Sequence, residues 1–219
     1  MSSKHCLALM LSLMATACSG EVAVVGADGL PLYVPREYLS DNSHSWWVGQ
    51  ASGMDKDEGV LVTIPFELLP SVQKIQGNTP DFIAVLKAKT AGQEEHNQKM
   101  TAQEFYALEN VQIETGSAPG AQRIHYPHNA KSSWALFTRS TEKLAQRGAD
   151  LVLEKYLAQC GQLQLAGVSC TTSVYVGPFD LEFGGPEELM VRHAELESDL
   201  KALFCSWVAK KGESREWCK

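Results

Sequence analysis

The sequence lacks any run of about 20 apolar residues, the length a helix needs to cross a bilayer. It lacks a basic excess. The 19 Lys+Arg stand against 26 Asp+Glu, a net charge of −7, which excludes a broad nucleic-acid footprint. It shows no repeat with a period of tens of residues, which argues against solenoids and propellers. It is not short of apolar residues. At 44% hydrophobic and 21% charged, its 219 residues suffice for one compact core or two small ones, and the chain is not mostly disordered.

Catalytic signatures are also missing. The stretch nearest to the nucleophile elbow G-x-S-x-G, Gly49-Gln50-Ala51-Ser52-Gly53, has the wrong spacing. Ser140-Thr141-Glu142-Lys143 fits S-x-x-K. However, Ser40-Asp41-Asn42 precedes it instead of following it, and Lys89-Thr90-Ala91 lacks the glycine of K-T-G. Ser140 or Thr141 is then a helix cap. His125 and His128 are three residues apart around Pro127, in a turn with no obvious third ligand, so solvated turn histidines are expected there. Asp55-Lys56-Asp57-Glu58-Gly59 has Phe66 where a calcium loop needs its twelfth-position Glu. Asp180, Glu182, Glu187 and Glu188 are close enough in sequence to suggest paired acids, but a glycosidase needs them across a sugar-sized cleft. No catalytic residue, metal or cofactor is therefore expected.

The first residues form an address. Lys4 gives a positive start, Leu7 to Ala15 form a nine-residue apolar stretch, and Ala15-Thr16-Ala17-Cys18 follows. This layout is a secretory signal and too short to span a bilayer. Ala15-Thr16-Ala17 can be read as a simple cleavage site. With Cys18 it resembles a bacterial lipobox, with Ala15 where leucine is usual. That resemblance implies removal of residues 1–17 and acylation of Cys18 as the new N-terminus. Ser19 implies outer-membrane attachment facing the periplasm. Several acyl chains, at about 0.8 kcal/mol per buried CH₂, make a durable anchor.

Cysteine counting agrees with acylation. Of six cysteines, Cys6 leaves with the signal; if Cys18 carries lipid, Cys160, Cys170, Cys205 and Cys218 remain, an even number that can all pair. Three connectivities are possible. The local pairs Cys160–Cys170 and Cys205–Cys218 close the shortest loops and are favoured. No C-x-x-C and no close ligand pairs are present, so redox and zinc roles are set aside.

Periodicity suggests strands near 22–25 and 32–34, and a clear one over 59–69, where Val60, Val62, Ile64 and Phe66 alternate and Pro65 marks a sheet edge or strand end. Phe82–Leu86 reads as a more central strand. Thr101–Leu108 reads as a helix with a capping box. Residues 121–126 and 133–139 read as a hairpin, and 162–166 and 169–176 as strands about Gly167. Phe179, Leu181 and Phe183 alternate with Asp180 and Glu182, as if one face were wet. The expected fold is α+β, an antiparallel sheet packed with two main helices at about 141–159 and 186–208. The expected organisation is a signal peptide over 1–17 and a single domain over 18–219. That domain is β-rich over 19–139 and disulfide-stapled over 140–219.

Two features suit binding. Residues 180–199 hold seven acids, among them Asp180, Glu182, Glu187 and Glu188, against the single Arg192, a local balance of −6 that could steer a basic partner. Trp46 and Trp47 sit in a turn-rich stretch, and tryptophan is enriched at interface hot spots. In signal, size, compartment and want of a catalytic motif, the chain resembles the periplasmic immunity lipoproteins that neutralise toxic effectors from neighbouring bacteria. The resemblance implies a protein partner, a secreted toxin, bound by occlusion. An envelope assembly or maintenance lipoprotein is the alternative expectation. A hydrolase whose residues meet only in the folded chain is the third.

Overall fold

A computed structural model describes residues 21–40, 59–75, 81–90, 112–125, 132–138, 156–163 and 167–219. The expected leader, Cys18, Trp46, Trp47, His128, Ser140 and the Thr101–Leu108 helix lie outside the described residues.

Ten strands are described: β1 (Val22–Val25), β2 (Pro31–Val34), β3 (Val60–Pro65), β4 (Asp81–Ala88), β5 (Gln112–Thr115), β6 (Ala121–His125), β7 (Ser133–Thr138), β8 (Tyr156–Leu163), β9 (Gly167–Val176) and β10 (Phe179–Gly185). Strands β1 and β2 form a two-stranded sheet. The other eight form one antiparallel sheet in the order β3-β4-β10-β9-β8-β7-β6-β5. Two helices follow, α1 (Glu187–Met190) and α2 (His193–Lys210). The arrangement is sheet-dominated and compatible with the α+β class. Strand β10 lies between β4 and β9, so segments from before and after residue 140 share one sheet.

Alternation decides which face is covered. Phe179, Leu181 and Phe183 of β10 stand opposite Val176, Val174 and Thr172 of β9 and opposite Ala88, Leu86 and Ala84 of β4. Most of these side chains are buried, and they receive α2 through Leu196, Leu200, Phe204, Trp207 and Val208. Those five positions recur at helical spacing, and burying such a side chain stabilises by about 1.5–3 kcal/mol. Phe204 meets Phe179 edge-on at 6.3 Å and stacks on Trp207 at 4.9 Å. Strand β3 is the sheet edge among the described residues, with Pro65 as its last residue, where the missing N–H costs no central ladder bond.

The tight β9–β10 turn uses Gly177 at φ 56°, a conformation that favours glycine. A Cβ there would also fall 2.6 Å from the Trp217 ring, so this turn and the C-terminal segment pack closely. That segment is tied back by Cys205–Cys218, and β8 is tied to β9 by Cys160–Cys170; both are the favoured local pairs.

Two helix expectations need correction. Residues 156–159 belong to strand β8, not to a helix over 141–159; the rest of that span lies outside the described residues. Ala158 and Cys160 are buried while Leu157 and Gln159 are partly exposed, a period of two that the preceding leucines obscured. The helix over 186–208 is broken at Val191–Arg192 into α1 and α2. There Arg192 donates from Nη1 to the Ser71 carbonyl at 2.7 Å.

Candidate functional site

Two buried carboxylates lie against opposite faces of the sheet, and their surroundings push them in opposite directions. Glu187 begins α1, directly after Gly184-Gly185-Pro186, and its side chain turns inward over β6 and β7 to 1% residue exposure. Its Oε2 accepts the Ser117 amide at 2.7 Å and the Ser117 hydroxyl at 2.6 Å. Arg123 donates through Nε to Oε1 at 2.7 Å and through Nη2 to Oε2 at 3.2 Å. The Trp134 indole donates to Oε1 at 2.9 Å. The guanidinium also lies 4.8 Å from the centre of the Trp134 ring.

The Ser117 loop can wrap the carboxylate because Gly116 has no side chain. A Cβ there would meet Ala121 at 2.7 Å and Glu187 Oε2 at 3.2 Å. Burial alone would raise the Glu187 pKa. The hydrogen bonds from Arg123, Ser117 and Trp134 outweigh it and hold the carboxyl below its ordinary value. Glu187 was expected on an exposed partner-binding surface. It is a buried clamp that fastens α1 to the β5–β6 loop and to β7. Cys160 and Cys170 lie beside it, with candidate ligand atoms of all three within 4.8 Å of one another. Both sulfurs are committed to the disulfide and both Glu187 oxygens to donors, so the trio offers a cation no free ligand.

On the other face, Asp180 stands opposite Lys87 of β4 and Tyr175 of β9. It was expected on a wet face but is fully buried. Lys87 Nζ lies 3.7 Å from Asp180 Oδ2 and 3.3 Å from Glu182 Oε2, so one ammonium serves two acids. Burial pushes the Asp180 pKa up. The Ser173 hydroxyl and the Lys87 charge pull it down, but neither reaches its oxygens with good hydrogen-bond geometry. Lys89 lies 4.6 Å over the Tyr175 ring at the same patch. Glu182 is half-buried there, and Glu188 is half-buried on α1.

His125 is buried against Trp134, with ring centres 5.6 Å apart, and its Nε2 is 3.2 Å from Glu114 Oε2. It was expected to be a solvated turn residue; its place on β6 opposite Trp134 of β7 accounts for the burial. Asp199 is also diverted inward, accepting the Ser71 amide at 2.8 Å and hydroxyl at 3.1 Å. The acids left facing outward on α2 are Glu195 and Glu197.

Sequence reasoning missed Arg123, Trp134, Ser117 and Lys87. Each lies at least 53 residues from its carboxylate in the chain, and no local pattern joins them. No known protein family, curated protein or solved structure matches the chain. Among the described residues, no helix is long and apolar enough to cross a membrane.

Proposed function

We propose that the protein is a periplasm-facing lipoprotein that works as a binding or inhibitor protein, and specifically as an immunity protein that occludes a toxic effector. The observation that carries this reading is the pairing of the cysteines. Cys160–Cys170 and Cys205–Cys218 use all four late thiols, which suits an oxidising compartment. The remaining cysteines, Cys6 and Cys18, are those of the export-type leader and of the lipobox-like position.

Outer-membrane anchoring through acylated Cys18 would leave the disulfide-bonded body in the periplasm. Binding falls to surfaces, because the best-placed acids are spent internally: Glu187 on Arg123, Asp180 and Glu182 on Lys87, Asp199 on Ser71. Glu195 and Glu197 remain to steer a basic partner. Trp46 and Trp47 are the candidate aromatic anchors of that contact.

The test is periplasmic co-expression with a secreted toxin encoded beside this chain. Survival is expected, and charge reversal by Glu195→Lys with Glu197→Lys is expected to weaken it. Unchanged killing with the protein present at normal level rejects the reading.

A further inference from the structure

We propose that the outer face of the β1–β2 hairpin is a membrane-docking surface, seated on the leaflet that holds the lipid anchor. The inference rests on the lipoprotein reading above and adds an orientation to it. Val25 is 55% exposed, Leu30 45% and Tyr33 36%, while Val22, 37% exposed, stands at the end of the inward face opposite Val34. The fifth large apolar side chain exposed to this degree among the described residues, Leu68, belongs to another segment. In the hairpin, Val24 and Leu32 pair and point into the core, so Ala23, Val25 and Tyr33 point out by alternation, with Leu30 in the connecting turn. A two-stranded sheet needs only one buried face to hold to the body, and this one uses it on α2 and β4. Its second face is apolar at Ala23 and Val25 and carries Lys211 over the Tyr33 ring.

The occupant follows from chain length. Glu21, which opens the hairpin, is three residues beyond Cys18. Three fully extended residues span at most about 11 Å. The polar interfacial layer of a leaflet is itself roughly 5–8 Å deep. An acylated Cys18 therefore keeps the hairpin within reach of the headgroups, where tyrosine settles and leucine can insert. Two cations flank the same surface. Lys211 pairs with Glu21 and sits 5.2 Å over the Tyr33 ring. Arg215 donates to the Pro31 carbonyl at 3.3 Å, which places the C-terminal tail beside β2. Both cations have acidic partners, Lys211 in Glu21 and Arg215 in Glu213, so the docking rests on the apolar side chains.

The experiment uses the full chain, exported, purified from membranes and reconstituted into phosphatidylethanolamine–phosphatidylglycerol vesicles. Leu30→Cys and, separately, Glu197→Cys carry an environment-sensitive dye, and headgroup spin-labelled lipid serves as quencher. Val25→Cys replaces Leu30→Cys where that variant folds poorly. Intact mass reports acylation of Cys18 in every sample. In acylated protein, several-fold stronger quenching at position 30 than at position 197 is expected. Equal quenching at the two positions in acylated protein overturns the docking surface and leaves the anchor standing. A product with a bare Cys18 overturns the anchor and, with it, the orientation.

Discussion

The Glu187 clamp gives the sharpest prediction. Glu187→Gln keeps the shape of the side chain but turns one acceptor oxygen into a donor amide. That amide must face either Arg123 Nε and the Trp134 indole or Arg123 Nη2 and the Ser117 amide, none of which can accept, and only the Ser117 hydroxyl can turn to receive it. It also leaves the Arg123 guanidinium beside the Trp134 ring with no counter-charge. Removing one member of a buried, hydrogen-bonded ion pair costs about 3–5 kcal/mol. One oxygen survives in glutamine, so about 3 kcal/mol is expected, a fall in Tm of roughly 6–12 °C for a chain of this size. Urea unfolding followed by tryptophan fluorescence measures it, with Trp134 reporting from within the network. The pH dependence supplies a second check. The Glu187 pKa is depressed in the folded chain, so its contribution is fully present above the ordinary value of 4.5 and is lost as pH falls through the depressed value. The gap between wild type and Glu187→Gln must therefore narrow in acid. A variant within about 0.5 kcal/mol of wild type at pH 7, or a gap that stays constant into acid, refutes the clamp.

Asp180→Asn should act in the opposite direction. Its folded pKa is raised, so burying the carboxylate costs stability as pH rises above 3.8 and through the raised value. At pH 7 the amide is expected to stabilise by roughly 1 kcal/mol, since Lys87 keeps Glu182 as partner, and the gain should vanish below the unfolded value. Equal or lower stability at neutral pH by the same urea titration would contradict the burial argument. For the second disulfide, Cys205→Ser with Cys218→Ser opens a 13-residue loop and should cost about 3 kcal/mol. Limited proteolysis should then cut the tail after Lys210 or Lys211 before the sheet is attacked. Simultaneous loss of both would show that the tail is not a separable strap.

Much of the sheet was legible because alternation is a local signal. Val62 and Ile64 on β3 and Phe179–Leu181–Phe183 on β10 follow from burial at period two, whereas the Phe82–Leu86 run on β4 and the β6–β7 hairpin were legible as short apolar runs between turn residues. The disulfide pairing was legible for a similar reason, because short loops close at the lowest entropic cost. The site was less so. Glu187 follows a glycine pair and a proline at a helix start, and the same string of residues describes an acid in water. What buries it is a loop 70 residues upstream and strands 53 and 64 residues away. Asp180 alternates with phenylalanines as an outward residue should, and it is outward; Lys87, Tyr175 and Ser173 then cover it on its own face. The β8 error has a different origin, because a strand that follows a leucine-rich stretch inherits its helical spacing.

The diversion of acids also sharpens where a partner can sit. Read from sequence, residues 180–199 form a strongly negative stretch. In the fold, Asp180, Glu182, Glu187 and Asp199 are each spent on a neighbour and Glu188 is half-buried, so the most exposed negative charge is that of Glu195 and Glu197 near the start of α2. The far end of the same helix carries Lys210 and Lys211, and Lys211 touches the hairpin at Glu21 and Tyr33. Acids at the first turns and bases at the last follow the helix dipole, which is reason enough for the pattern within the fold. The consequence is nonetheless directional. From position 197 to position 211 the helix rises about 21 Å. The hairpin contact at Lys211 and the acidic turns of α2 are thus separated by most of the length of that helix. Anionic lipid would repel those exposed acids, while a basic protein would be drawn to them.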